Sequence, residues 1–176
     1  MMPEGQALDR EQAARIFREH CDYVWNALRR FGVRQAELED LTHDTFVAVF
    51  RQWHTFDSGR ALRPWLFGFA LRIASDHRRR ARHRFEVYGP VPEPADRAPG
   101  AVEQLLQRER LELAHAALQA IELSRRAVFI LHELDGAKLH EIATALDIPL
   151  GTATSRLRLA REDFAAAVKR LSCRAR

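Results

Sequence analysis

The stretch EIATALDIPLGTATSRLRLAR, Glu141 to Arg161, joins two helical patterns through a tight break. Past the break, Thr152, Thr154, Ser155, Arg156, Arg158 and Arg161 crowd the front of a helix that also carries Leu157, Leu159 and Ala160. A helix that only packs needs no such density of donors in its first turns. The pattern predicts a helix-turn-helix, whose two helices cross steeply. The crossing needs a small residue, and Ala143 supplies it. The turn needs a residue that tolerates left-handed backbone, which Asp147 does less comfortably than glycine. Ile148 and Leu150 are expected to fill the angle, with Gly151–Thr152 restarting the chain and Thr152 as N-cap. Residues just after that cap face the major groove when such a unit docks on DNA. Arg156 suits a bidentate pair with a guanine edge, Thr154 and Ser155 suit base or phosphate contacts, and Arg158 and Arg161 suit phosphates. A second reading stays open here: the arginines form only the solvated face of a packing helix.

Around this stretch the second half of the chain is helical by pattern. Val102 to Ile121 reads as one helix, Ser124 as the cap of RRAVFILHEL ending before Gly136, and Lys138–Leu146 and Thr152–Leu171 as the two helices already described. Upstream, Pro90, Pro92, Pro94 and Pro99 mark Gly89 to Gly100 as a linker, because proline cannot continue a helix. Before it lie three amphipathic patterns. Asp9 caps the first, with Ile16, Phe17, Val24, Leu28 and Phe31 on one face and Gly32 at its end. The second starts near Gln35 and aligns Leu38, Leu41, Thr45, Val49 and Trp53, leaving Glu39, Asp40 and Asp44 on another side. The third starts at Pro64 and turns Trp65, Leu66, Phe69, Ile73 and Ala74 inward before running into DHRRRARHR. Short helices with short turns predict an all-α protein of two small helical domains, 1–85 and 102–176, joined by a linker over 86–101.

Composition bounds the function. The chain has 176 residues, Lys+Arg 28 against Asp+Glu 24, and a net charge of +4. Apolar content of 47% is enough for packed cores. The basic set is dominated by arginine, which favours phosphate and base-edge recognition. Cys21 and Cys173 have no metal or disulfide spacing. With a polar start and no long apolar run, the expectation is a cytoplasmic protein with no membrane segment. No P-loop, G-x-S-x-G or HExxH motif appears, and His132-Glu133 and His140-Glu141 lack the second histidine. The chain is therefore expected to be no enzyme, with no metal and no cofactor.

FILHELDGAKLHEIATALDIPLGTATSRLRLAR resembles the C-terminal promoter-binding region of bacterial RNA polymerase sigma factors of the extracytoplasmic-function type. ELEDLTHDTFVAVFRQWHTFD followed by LRPWLFGFALRIASDHRRRARHR is similar to the N-terminal core region of the same sigma-70 family. The resemblance implies that Glu39, Asp40, His43 and Asp44 dock on the clamp helices of core polymerase, with the flap as a further contact. It implies that Thr152–Arg161 read the upstream (−35) promoter element. It also assigns the downstream (−10) element to Phe56, Asp57, Ser58, Gly59 and Arg60 as a pocket loop, with Arg63, Arg72, Arg78, Arg79, Arg80 and Arg82 as cations for an exposed strand. Holding a flipped base and a single strand needs such a pocket, stacking platforms and positive charge. Trp65 is a stacking candidate, although its place beside Phe69 favours a core role. Glu37, by contrast, reads as solvated or as compensating a helix dipole. An anti-sigma factor is the controlling partner the family implies.

The sequence departs from the family pattern at three positions. Arg72 stands where Asn is common, His43 where Gln is usual, and Asp147 where glycine closes the turn. Other readings explain less. A response-regulator-like activator would need a receiver, for which the first half has no strand pattern; a helical adaptor would leave both arginine sets without a role.

Overall fold

Asp9 opens the first helix, α1 (Arg10–Arg30), as predicted: its carboxylate accepts from Gln12 N at 2.7 Å, and the Gln12 side chain answers the Asp9 amide. The structure, a computed structural model, describes residues 8–88 and 102–174, with side chains over 8–81 and 110–173. α1 stops at Gly32, whose φ of +88° lets Gly32 N donate to Arg29 O and Val33 N to Leu28 O. These paired bonds make a Schellman motif, which needs left-handed backbone at that position. A 3-10 turn (Gln35–Glu37) leads to α2 (Leu38–Arg51), and another (Trp53–Thr55) and a loop lead to α3 (Leu62–Tyr88). The three helices pack on one another and bury Val24, Leu28, Phe31, Leu38, Phe46, Val49, Leu66 and Phe67. α3 begins two residues before the predicted start, so Pro64 sits inside the first turn, where its missing N–H costs nothing.

The second lobe consists of α4 (Val102–Gln119), α5 (Leu123–Phe129), α6 (Leu139–Ala145) and α7 (Leu150–Arg174). α4, α5 and α6 all pack against α7, around Ile121, Val128, Ile130, Leu131, Ile142, Leu157 and Ala160. No strand occurs among the described residues, and the architecture is all-α in two helical domains. The proline-rich stretch Gly89–Gly100 lies outside the described residues.

The helix-turn-helix is built as the pattern predicted, with corrections at its edges. Asp147 takes φ +52°, Asp147 N donates to Thr144 O at 3.3 Å and Ile148 N to Ala143 O at 2.9 Å. This is a second Schellman motif, closed by aspartate, with Ala143 buried at the crossing. Thr152 does not cap α7: the helix begins at Leu150, and Thr152 N and Ala153 N both bond Pro149 O, at 2.9 and 3.0 Å. Leu150 is 53% exposed and does not plug the angle; Ile148 alone packs there, since the turn points it back onto the core. Ser124 is not a cap either. Glu122 is, its carboxylate taking Ser124 N at 3.0 Å and Arg125 N at 3.2 Å. After Phe129 the backbone widens into a π turn, Ile130–Leu134, which sets Ile130 and Leu131 into the core before Gly136 ends it at φ +71°.

The two lobes also meet. α6 lies against α3, and α4 against α1.

Candidate nucleic-acid and polymerase surfaces

α7 separates its residues cleanly. Ala153, Leu157 and Ala160 are buried, Thr154, Ser155, Arg158 and Arg161 are exposed, and Thr152 and Arg156 are half-buried. The exposed hydroxyls rest on their own helix, Thr154 Oγ1 donating to Leu150 O and Ser155 Oγ to Thr152 O, each at 3.0 Å. Two of the arginines already hold carboxylates: Arg158 donates to Glu162 at 2.7 Å, and Arg161 to Glu133 at 2.6 and 2.8 Å. The Arg161 bonds hold the Glu133 carboxyl below its ordinary range. A phosphate arriving at either arginine would replace a surface ion pair, which costs little. Arg156 makes no ion pair with a described residue, so its fork stands ready for a planar acceptor.

The loop after α2 is anchored by aromatic contacts. Trp53, Phe56, Trp65 and Phe69 pack in series, with centroids 5.2 Å apart for Trp53–Phe56 and 4.9 Å for Phe56–Trp65, both tilted, and 4.8 Å for the edge-on pair Trp65–Phe69. Trp65 is thus mainly part of the packing, as favoured, while one side of it borders open space. Asp57 turns the loop by accepting from Gly59 N at 2.9 Å and pairs with Arg60 at 3.1 Å. Arg72 lies over the Phe69 ring, 4.4 Å from its centroid. Phe56, Asp57, Arg60 and Arg72 line one cleft of about 530 Å³. Ser58, Arg63, Arg79 and Arg80 do not join them: Ser58 and Arg80 are exposed, Arg63 lies over Tyr23 and Arg79 pairs with Asp76. The predicted strand-binding set is therefore a cluster of four with cations spread along α3. Sequence reasoning missed the opposite wall of the cleft: His140, Glu141, Thr144 and Asp147, from α6 and the turn of the helix-turn-helix.

On α2, Glu39, Asp40, His43 and Asp44 are all exposed, whereas Leu38, Thr45 and Val49 are buried. The His43 ring stacks on Phe17 at 5.8 Å. Glu37 is no solvated residue. It accepts from Arg34 at 2.8 and 2.9 Å and meets His77 Nε2 at 3.0 Å, tying the start of α2 to the middle of α3. The Arg34 bonds, with His77 second among the stabilising contacts, hold its carboxyl down to about 2. No helix among the described residues is long and apolar enough to cross a membrane.

Residues 16–84 match the family model for sigma-70 region 2, and residues 111–164 that for sigma-70 region 4. The chain is 33% identical over 154 residues to the ECF RNA polymerase sigma factor SigE of Mycolicibacterium smegmatis, covering 85% of this chain and 58% of that one. It is 32% identical over 149 residues to the ECF RNA polymerase sigma factor SigL of Mycobacterium tuberculosis, covering 82% of both. Among solved structures, the sigma factor RpoE from Bartonella quintana, crystallised with the anti-sigma factor NepR, is similar in fold. There the TM-score is 0.68 at 21% identity, over 89% of this chain and 96% of that one.

Proposed function

Because the chain belongs to the sigma-70 family, in its extracytoplasmic-function branch, we propose that it directs bacterial core RNA polymerase to specific promoters and helps open the DNA there. Residues 1–85 bind the core enzyme and handle the −10 element, 102–176 read the −35 element, and 86–101 connect them. The acidic set Glu39, Asp40 and Asp44, with His43 beside it, meets a basic partner on the polymerase clamp; such complementarity speeds docking and fixes register. Thr152, Thr154, Ser155 and Arg156 enter the major groove, while Arg158 and Arg161 hold phosphates on either side. The Phe56–Arg60 loop and Arg72 take up the displaced strand, aromatic faces and guanidinium groups serving bases and backbone respectively. The chain makes and breaks no covalent bond; it spends binding energy on the open complex, in the cytoplasm where the polymerase works. An anti-sigma protein controls it, a reading supported by the solved relative's partner.

The observation that carries this reading is the exposed donor row of α7, backed by buried Ala153, Leu157 and Ala160, on a chain that matches both sigma regions in order. Run-off transcription with purified bacterial core polymerase, with and without the protein, tests it. Start sites present only with the protein are expected. Arg156→Ala should weaken binding to their shared upstream element by about 1–3 kcal/mol and relax the preference at one position. Absence of any binding to core polymerase would end the proposal.

A further inference from the structure

Arg158 and Arg161 stand about one turn apart on the exposed row of α7, with Thr154, Arg158 and Arg161 falling at i, i+4 and i+7. Their carboxylate partners differ in kind. Glu162 belongs to the same helix as Arg158, and both side chains of that pair are more than half exposed. Glu133 comes from another element, 28 residues earlier, and meets Arg161 where α5 and its π turn lie along α7. The π turn brings it there. Asp135 N bonds Ile130 O at 3.1 Å, so the widened turn keeps Ile130 and Leu131 in the core while Glu133 reaches α7. Such widened turns recur at functional sites. The seam beneath is firm: Phe129 meets Phe164 at 5.1 Å between ring centroids, and Arg125 donates to Asp163 at 2.8 Å. Both ends of the Glu133–Arg161 pair are therefore fixed to one packed frame.

The bonds to Glu133 use Nε and Nη2 of Arg161, at 2.8 and 2.6 Å, and both end on one oxygen, Oε1. His132 Nδ1 lies 3.3 Å from that same oxygen. Nη1 of Arg161 has no partner among the described residues, so one edge of the fork stays available. A phosphate can displace Glu133, as it would displace Glu162 from Arg158, or it can add at Nη1. Addition keeps the two existing bonds. An arginine held in advance also loses less side-chain freedom when the phosphate arrives. Against this stands repulsion between carboxylate and phosphate, which water and salt screen at an exposed site.

We propose that Glu133 is a positioning residue for DNA binding, holding the Arg161 guanidinium toward a backbone phosphate beside the upstream promoter element. The inference rests on the phosphate role given to Arg161 above. It adds a residue from outside the helix-turn-helix to the machinery of DNA contact, and one whose own charge would repel DNA.

Holoenzyme assembled from core polymerase and the full chain is titrated, over a range of salt, with a promoter duplex found by run-off transcription and with a scrambled duplex. Arg161→Ala should bind the promoter roughly tenfold more weakly and flatten the slope of log affinity against log salt by about 1. Glu133→Ala should reproduce a several-fold part of that weakening and part of the lost slope. Glu133→Gln, which still accepts from Arg161 through its amide oxygen, should restore both. Asp163→Ala breaks the neighbouring contact of the same seam and should keep the native slope, whatever it does to the melting temperature. Three results overturn the positioning role and leave the promoter reading standing. Glu133→Ala binds as well as the native chain or better, Glu133→Gln is as weak as Glu133→Ala, or Asp163→Ala loses as much slope as Glu133→Ala. A holoenzyme that does not distinguish the two duplexes, or Arg161→Ala with the native slope, removes the phosphate role and the inference with it.

Discussion

Glu37 stands two residues before Glu39 in the sequence, yet its half-buried carboxylate is held by Arg34 and His77 while Glu39 is exposed. Its folded value near 2 lies below the ordinary 4.5, so its contribution is present in full above pH 4.5 and is lost as pH falls from there toward 2. Glu37→Gln should cost about 1 kcal/mol at pH 7, the order expected for a half-exposed ion pair. Thermal melts should show that difference shrinking by pH 3. Parallel loss of stability in both chains between pH 4.5 and 2 would show that the pair carries no net charge coupling. The neighbouring Glu39, Asp40 and Asp44 were separable from the apolar stripe by helical period alone. Glu37 was not: Arg34 is a local partner, but His77, which ties it to α3, lies 40 residues away.

At the scale of elements, the turn before α7 carries the clearest local strain. Asp147 closes the Schellman motif at φ +52°, a conformation that glycine adopts without penalty. Asp147→Gly should therefore raise the stability of the second lobe by about 0.5–1 kcal/mol. A melting temperature that falls instead would mean the Asp147 side chain is itself a stabilising contact. This turn was legible because two apolar periods and a break specify it locally. The caps beside it were less so. Glu122 displaced Ser124 and the Pro149 carbonyl displaced Thr152, because cap choice depends on where the core pulls each helix to begin.

For the whole molecule the question is how far the lobes act as one. If the contacts of α6 with α3 and of α4 with α1 couple the lobes, differential scanning calorimetry of the native chain should give a single transition. Gly68→Ala, whose added Cβ would stand 2.8 Å from the Ala145 carbonyl oxygen, should split it in two: α3 gains helix propensity while the coupling through Ala145 is lost. A single transition in both chains, merely shifted, would show that these contacts do not couple the lobes.

What the sequence by itself determined was local or family-wide: helical period, the Asp9 cap, the Gly32 stop, the helix-turn-helix, and two sigma-region motifs in order. Each is encoded within a few turns of chain, where side-chain spacing and backbone preference suffice. Only the tertiary structure decided that Arg126 reaches Arg30, 96 residues earlier in the chain, that Tyr23 meets Asp135 across 112, and that Gly68 makes room for Ala145. No period records such pairings. They depend on the shape and charge of two surfaces that exist only after each lobe has folded, and on which of several polar faces finds a complementary one.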